Sequence, residues 1–281
     1  MHQGYKTNTF PAEDPRLPER YPGAPRLETE RCTVCGACKA ICPTSAISVQ
    51  SGEPAGAEPR LALDLGRCIF CRKCETACPE GAIAFTGSFR MGARAKAGLV
   101  LGVTPHAQLT ASHAPGAHEN YAGASNQALN SEETRLIEAL DRKMLKIFGR
   151  AMKIRQVSAG GCNACEADVN VLETIGFDLS RFGISITASP RHADAIIVTG
   201  PVSKNMELAL RKTYEAMPSP KLVIAVGACA ISGGIYRGLA DVCGGADAVI
   251  PVDLYIPGCP PHPMTILNAL LELLGRVPRK G

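Results

Sequence analysis

Apolar residues come in short, unbroken bursts along the second half of the chain. Ala195-Ile-Ile-Val-Thr199 and Leu222-Val-Ile-Ala-Val226 each stop at a glycine, Gly200 and Gly227. Runs this short and this rich in β-branched residues predict strands buried on both faces. Ile184-Ser-Ile-Thr187 predicts a shorter strand and Ile154 to Val157 another. Val249-Ile-Pro-Val252 predicts a weaker one, because Pro251 removes a ladder donor. Between the strands, Met206 to Met217 and Met264 to Leu274 read as helices, and a further helix is predicted to begin near Glu166. Strands alternating with helices from about Arg155 onward predict an α/β unit with a parallel sheet covered on both faces. In such sheets ligands bind beyond the carboxyl ends of the strands.

The first half reads differently. Strand-like pieces at Ala46 to Val49, Leu61 to Asp64 and Ala82 to Phe85 are short, and two of them follow cysteine runs that repeat with a period of 36, Cys32 to Cys68. This predicts a small α+β unit over 28–95, with Gln50 to Arg60 as the loop between its halves. Residues 1–27 carry many prolines and predict an extended lead-in. Residues 96–130, rich in Ala, Gly, Ser, Asn and His from Thr104, predict a flexible linker. His106, His113 and His118 lie there without ligand spacing, as linker residues. Ser131 is a candidate N-cap for a helix carrying Leu136, Ile137, Leu140, Met144, Leu145 and Phe148 up to Gly149. The α/β unit is assigned to 131–281.

Composition narrows the chemistry. The 281 residues leave room for two domains, and a formal charge of +4 with no dense Lys/Arg run gives nucleic-acid binding little support. No stretch approaches the roughly 20 apolar residues that span a bilayer; the longest, Leu222 to Ile235, is broken by glycines and Ser232. Met1 to Leu27 is polar and lacks the apolar core of a secretory signal, which predicts a reducing compartment where cysteines serve metal or redox chemistry.

Thirteen cysteines are present. Eight form two near-copies of one motif, Cys32-x2-Cys35-x2-Cys38-x3-Cys42-Pro43 and Cys68-x2-Cys71-x2-Cys74-x3-Cys78-Pro79. This is the spacing of bacterial two-cluster ferredoxins, in which the fourth cysteine of each run serves the other cluster. A short loop can wrap three corners of a [4Fe–4S] cube but cannot surround it. The assignment is therefore Cys32, Cys35, Cys38 and Cys78 for one cluster, and Cys68, Cys71, Cys74 and Cys42 for the other. Zinc is the alternative, since paired C-x2-C motifs also make tetrahedral zinc sites. Metal binding and folding are coupled in such units, so the apo form is expected to be disordered.

The later cysteines obey the strand-end rule. Cys162 and Cys165 follow the strand ending at Val157, Cys229 follows Val226, and Cys259 follows the strand placed at Val249 to Val252. Three loops supplying two, one and one thiolates can converge on a third cluster. A thioredoxin-like redox pair is the rival for Cys162 and Cys165. Cys243 does not follow a strand and reads as a small buried hydrophobe. No G-x-G-x-x-G or P-loop pattern and no nucleophile–His–acid arrangement appears.

Several stretches resemble a known family. Gly160-Gly161-Cys162-Asn163-Ala164-Cys165-Glu166, Ser189-Pro190-Arg191-His192-Ala193-Asp194, Val198-Thr199-Gly200-Pro201-Val202 with Asn205-Met206, and Pro251 through Pro261 resemble the small subunit of energy-converting, membrane-bound [NiFe] hydrogenases such as formate hydrogenlyase. That subunit is related to the 20 kDa subunit of respiratory complex I. The first 95 residues resemble the two-cluster ferredoxin-like subunit of the same complexes, with Leu65 to Cys71 a close match, so the chain resembles a fusion of two subunits. The resemblance implies a flavodoxin-like second domain following an α+β ferredoxin-like one. It implies that Cys162, Cys165, Cys229 and Cys259 hold a proximal [4Fe–4S] cluster next to a partner's reaction centre, giving three [4Fe–4S] clusters in all. The expected partners are a hydrogenase or complex I-type large subunit and the membrane-arm subunits of the same complex, on the cytoplasmic face of the membrane. The C-x2-C spacing favours the hydrogenase branch, because adjacent cysteines are expected there in complex I. A subunit of a complex I-like quinone oxidoreductase, a nickel-free hydrogenase relative, and a zinc-stabilised scaffold are the alternatives. Ala164 stands where a glycine is expected, and Asp168 where a longer acid is.

Overall fold

A computed structural model describes residues 6–50, 60–103 and 151–277. The histidine-bearing stretch, the helix predicted from Ser131 and most of the loop between the cysteine runs lie outside the described residues.

The N-terminal unit is built from strands β1 (Pro25–Leu27), β2 (Ile47–Gln50), β3 (Arg60–Asp64), β4 (Ile83–Phe85) and β5 (Val100–Val103), with helices α1 (Ala37–Ile41) and α2 (Lys73–Ala77). β1 pairs with β4, and β2, β3 and β5 form an antiparallel sheet in that order. Residues 96–103, expected as part of a linker, instead form regular structure. Lys96–Leu99 makes a turn of 3-10 helix and β5 pairs Leu101 with Leu63. Leu99, Leu101, Leu61 and Leu63 then bury one face together. Pairing with a strand some forty residues earlier is a long-range contact that no local periodicity announces.

The second unit carries five parallel strands, β6 (Met152–Ser158), β7 (Ile184–Ile186), β8 (Ala195–Thr199), β9 (Leu222–Val226) and β10 (Leu254–Ile256). Their order across the sheet is β7-β6-β8-β9-β10, so the chain turns back between β6 and β8. β8 and β9 are buried at every position, as their unbroken apolar runs require. The strand expected at Val249 to Val252 is displaced: Ala246–Ala248 is a 3-10 turn and the pairing strand is β10. Pro251 cannot donate to a ladder, and the apolar pairing passes instead to Leu254, Tyr255 and Ile256. Helices α3 (Ala164–Val171), α4 (Lys204–Ala216), α5 (Ala228–Ser232) and α6 (Pro263–Leu273) connect and close the unit. α6 buries every residue but Glu272, including the polar Thr265 and Asn268, whereas α4 buries Leu210 and faces water with Lys212–Glu215 and Arg211–Glu207 pairs.

The two units share an interface. Ala93 and Tyr255 exchange backbone hydrogen bonds at 2.9 and 2.8 Å, so the tail of the first unit covers the open β10 edge. Lys96 pairs with Asp247 at 2.6 Å. Phe10 and Phe89 both enter the apolar core that β6, β9 and α6 build.

Candidate metal centres

The two cysteine runs fold alike because the backbone repeats its unusual conformations at the same period as the sequence. Val34 and Phe70 have φ of 54° and 56°, Gly36 and Arg72 have 79° and 61°, and Ser45 and Gly81 have 51° and 59°. A β-branched or bulky residue at positive φ is a strained position of the kind that gathers at functional sites. The effect is to curl each run so that its amides face the sulfurs. Ala46 N donates to Cys42 Sγ at 3.3 Å, and its repeat partner Ala82 N donates to Cys78 Sγ at 3.2 Å. Phe70 N donates to Cys68 Sγ at 3.3 Å.

The same local device appears in the later loop. Gly36, Arg72 and Asn163 each lie directly after a cysteine, in the left-handed region, and cap the helix that starts at the following residue. The next cysteine, Cys38, Cys74 or Cys165, then sits in the first turn, where unpaired amides collect. The later loop, unlike the two runs in the rest of its sequence, thus presents its C-x2-C pair in the same geometry.

The crossed grouping is visible in space. Cys32, Cys35, Cys38 and Cys78 line one small cavity, closed behind by Leu61, Ala82 and Ile83. Burial raises the Cys38 thiol, and Cys32 and Cys78 add to the rise. Cys68 is pushed up to about 12 by burial, and its neighbours Cys74, Cys42 and Cys71 add to the rise. Burial pushes Cys74 up to about 11, and Cys42 and Cys71 again contribute. The fourth cysteine of each run therefore stands with the other run's first three.

The last set gathers at the carboxyl edge of the parallel sheet. Cys162 and Cys165 follow β6 at the point where the strand order reverses, Cys229 follows β9 and Cys259 follows β10. Burial raises Cys165 strongly, and Cys229, Glu166, Cys259 and Cys162 add to it. Burial pushes Cys229 up to about 11, with Cys259 and Cys162 next. Gly227, at φ +90°, is obligatory: a Cβ there would lie 2.6 Å from Cys165 Sγ. Cys162 and Cys259 remain exposed, so this edge opens outward.

Glu166 is a residue that sequence reasoning passed over. It is 5% exposed, and its carboxylate accepts from Ser158 Oγ at 2.5 Å and Thr199 Oγ1 at 2.7 Å. Those hydroxyls end β6 and β8, so one acid ties two strand ends beneath the cysteines. The available signal was an acid directly after Cys165 in the first turn of a helix. Asp168 is half-buried, and burial raises its carboxyl. Cys243 stands apart: its thiol donates to Glu207 Oε2 at 3.5 Å on α4, and Glu207 and Lys204 are its charged neighbours.

The residues fit iron–sulfur groups. All three sets offer four thiols, and in each a backbone amide faces a sulfur: Ala82 on Cys78, Ala46 on Cys42 and Ile235 on Cys229. Among the described residues no three His, Cys, Asp or Glu side chains are drawn together as they would be around a single ion. No helix among them is long and apolar enough to cross a membrane.

The second set also touches the α/β unit. Asp64 holds the turn before Cys68, accepting from Gly66 N at 2.8 Å and pairing with Arg67 at 3.1 Å. Gly66 rests on α5: a Cβ there would lie 2.8 Å from Ile231 Cγ2, so only glycine admits this approach. α5 is the helix that carries Cys229.

Known proteins match in two parts. Residues 31–82 match the 4Fe-4S dicluster domain, and residues 162–273 match the family of the NADH ubiquinone oxidoreductase 20 kDa subunit. Formate hydrogenlyase subunit 7 of Escherichia coli is 40% identical over 144 residues, 51% of this chain and 56% of that one. The Pyrococcus furiosus protein named "Probable membrane-bound hydrogenase subunit mbhJ" is 36% identical over 53% of this chain and 89% of its own length. An NADH-quinone oxidoreductase subunit of Desulfovibrio desulfuricans is 43% identical over 45% of this chain and 68% of its own. The chain thus spans little more than half of the first of these relatives.

Proposed function

The chain belongs to the family of the 20 kDa subunit of NADH ubiquinone oxidoreductase and its hydrogenase relatives, preceded by a 4Fe-4S dicluster domain, and on that premise we propose that it is an electron-relay subunit holding three [4Fe–4S] clusters. When bound, such clusters supply one-electron transfer. Cys32, Cys35, Cys38 and Cys78 would hold one, Cys68, Cys71, Cys74 and Cys42 the second, and Cys162, Cys165, Cys229 and Cys259 the third. The observation that carries the reading is the shared left-handed cap after Cys35, Cys71 and Cys162, which prepares three loops in the same way. The strand order supports a flavodoxin-like assignment for the α/β unit, and the repeated half-units a ferredoxin-like one for the first.

The chain's own residues do three things in this role. Buried thiols release protons as they take up metal, since ligands must be deprotonated. Amides of Ala46, Phe70 and Ala82 point at ligand sulfurs, a contact that tunes a bound centre. The close approach of Gly66 to Ile231 on α5 supports the second set as the inner of the two N-terminal sets. The exposed Cys162 and Cys259 support a catalytic partner docking over the third set.

That partner is proposed as a hydrogenase-type large subunit with a nickel–iron site, the assembly lying peripherally on the cytoplasmic face of a membrane. The quinone-reducing reading is favoured by the NADH-quinone oxidoreductase relative and is decided by whether the co-purifying large subunit carries two C-x2-C pairs. Anaerobic iron and sulfide analysis tests the relay itself. About twelve irons per chain is expected from three cubes; stoichiometric zinc with little iron overturns it in favour of a zinc-stabilised scaffold.

A further inference from the structure

The N-terminal stretch has no part in the reading above, yet it crosses both units. Its contacts alternate. On the α/β unit, Asn8 N and Nδ2 donate to Gly176 O at 3.0 and 2.8 Å, and Thr7 Oγ1 to Ile175 O at 2.7 Å. Arg181 answers from the same unit, donating to Asn8 O at 2.7 Å and Phe10 O at 2.8 Å. Phe10 is 1% exposed and meets Phe89 edge to face at 5.8 Å. Asp14 then takes Arg90 of the first unit with both carboxylate oxygens.

The chain returns to the α/β unit at Tyr21. Its hydroxyl bonds Thr265 Oγ1 at 3.0 Å, and its ring lies 4.9 Å from the His262 ring. His262 caps α6, its Nδ1 accepting from Met264 N at 3.1 Å, and it stands three residues after Cys259. Finally Ala24 N donates to Ser88 O at 2.8 Å and β1 joins β4 in the first unit.

We propose that residues 6–27 are a positioning strap, stitched alternately to the two units, that fixes their separation and holds the Cys259 loop through the Tyr21–His262 contact. An interface between two subunits is normally kept by their own surfaces; here a single stretch of chain belongs to both sides. Phe10 is the anchor, since its ring is shared by the α/β core and by Phe89. Tyr21 is the point at which the strap reaches the third cysteine set. Phe10 and Tyr21 are positioning residues that act through Phe89 and His262.

The proposal rests on the three-cluster reading for its spectroscopic arm only. In the anaerobically reconstituted full chain, Tyr21→Ala is expected to shift the EPR g-values and midpoint potential of the third cluster while leaving the other two signals in place. Tyr21→Phe keeps the ring against His262 and is expected to restore them. Amide exchange tests the locking independently of metal-centre signals: Phe10→Ala should speed exchange at Ala93 and Tyr255 by about tenfold, as local opening of the interface, and Phe10→Leu should restore most of the protection. If Phe10→Ala does not fold, Arg181→Met removes the Asn8 and Phe10 contacts from the exposed side and should speed the same two amides. An unshifted third signal in Tyr21→Ala together with unchanged exchange at Ala93 and Tyr255 overturns the strap. Loss of all three iron signals from the wild type overturns the relay, and the exchange result still decides the strap.

Discussion

Ser232 Oγ donates to the backbone carbonyl of Gly66 at 2.8 Å, joining the turn that leads into Cys68 to the helix that carries Cys229. Cys68 lies two positions after Gly66, and Cys229 three positions before Ser232. The bond can form because Gly66 presents no side chain to Ile231, which is 1% exposed.

A size exchange across that contact tests it. Gly66→Ala places a methyl 2.8 Å from Ile231 Cγ2 and is expected to cost roughly 1–3 kcal/mol by overpacking. Ile231→Ala alone leaves a cavity, at roughly 2–5 kcal/mol. The double variant should be more stable than the sum of the two by about 1 kcal/mol or more, the signature of residues in contact. Additive losses in denaturant unfolding would place the two residues apart.

Cys229→Ser and Cys243→Ser separate the two candidate ligands on the α/β unit. The first should abolish the EPR signal of the proposed third cluster. The second should leave it intact, because the Cys243 thiol faces Glu207 on α4. The opposite pattern reassigns the ligand.

Glu166→Gln keeps an acceptor for Ser158 and Thr199 but removes a negative charge beside Cys165 and Cys229. Reduction adds an electron to the centre, so removing that charge makes reduction easier. The third cluster's midpoint should move to more positive potential, on the order of 100 mV for one charge at an effective dielectric near 20. Redox titration reads it, and a negative shift contradicts the placement.

His262 makes the α6 cap sensitive to acid. Burial lowers its pKa from the ordinary histidine value. The folded chain therefore prefers the neutral ring, whose Nδ1 can accept from Met264 N; a protonated ring has no acceptor. The contribution is fully present above the unfolded value of about 6.5 and is lost as pH falls through the lower, folded one. Protection factors at Met264 and Thr265 should drop on acidification below about pH 6.5, and His262→Asn, which keeps an oxygen acceptor, should flatten that profile.

The sequence made the cysteine sets readable because spacing carries ligand chemistry, and it made β8 and β9 readable because burial on both faces leaves an unbroken apolar run. What it concealed was mostly non-local. β5 is four residues, Val100-Leu-Gly-Val103, and gains its identity from β3. Residues 6–27 looked like a lead-in because prolines suppress local periodicity, yet their partners lie as far away as Thr265. Pro251 drew attention to the wrong apolar stretch, and the strand formed three residues later at Leu254. Glu166 was hidden for another reason: an acid next to a cysteine announces nothing until two hydroxyls from other strands point at it.

The 36-residue repeat of the cysteine runs differs at one telling pair of positions. The repeat partner of Gly66 is Glu30, an exposed acid where the second half has the contact glycine. A duplicated unit has no front or back of its own, and either half could in principle face the sheet. One missing side chain admits the second half to α5, while a charge at the matching place keeps the first half in water. Which half of the duplication meets the sheet is therefore marked by a difference between two residues that lie outside the cysteine runs.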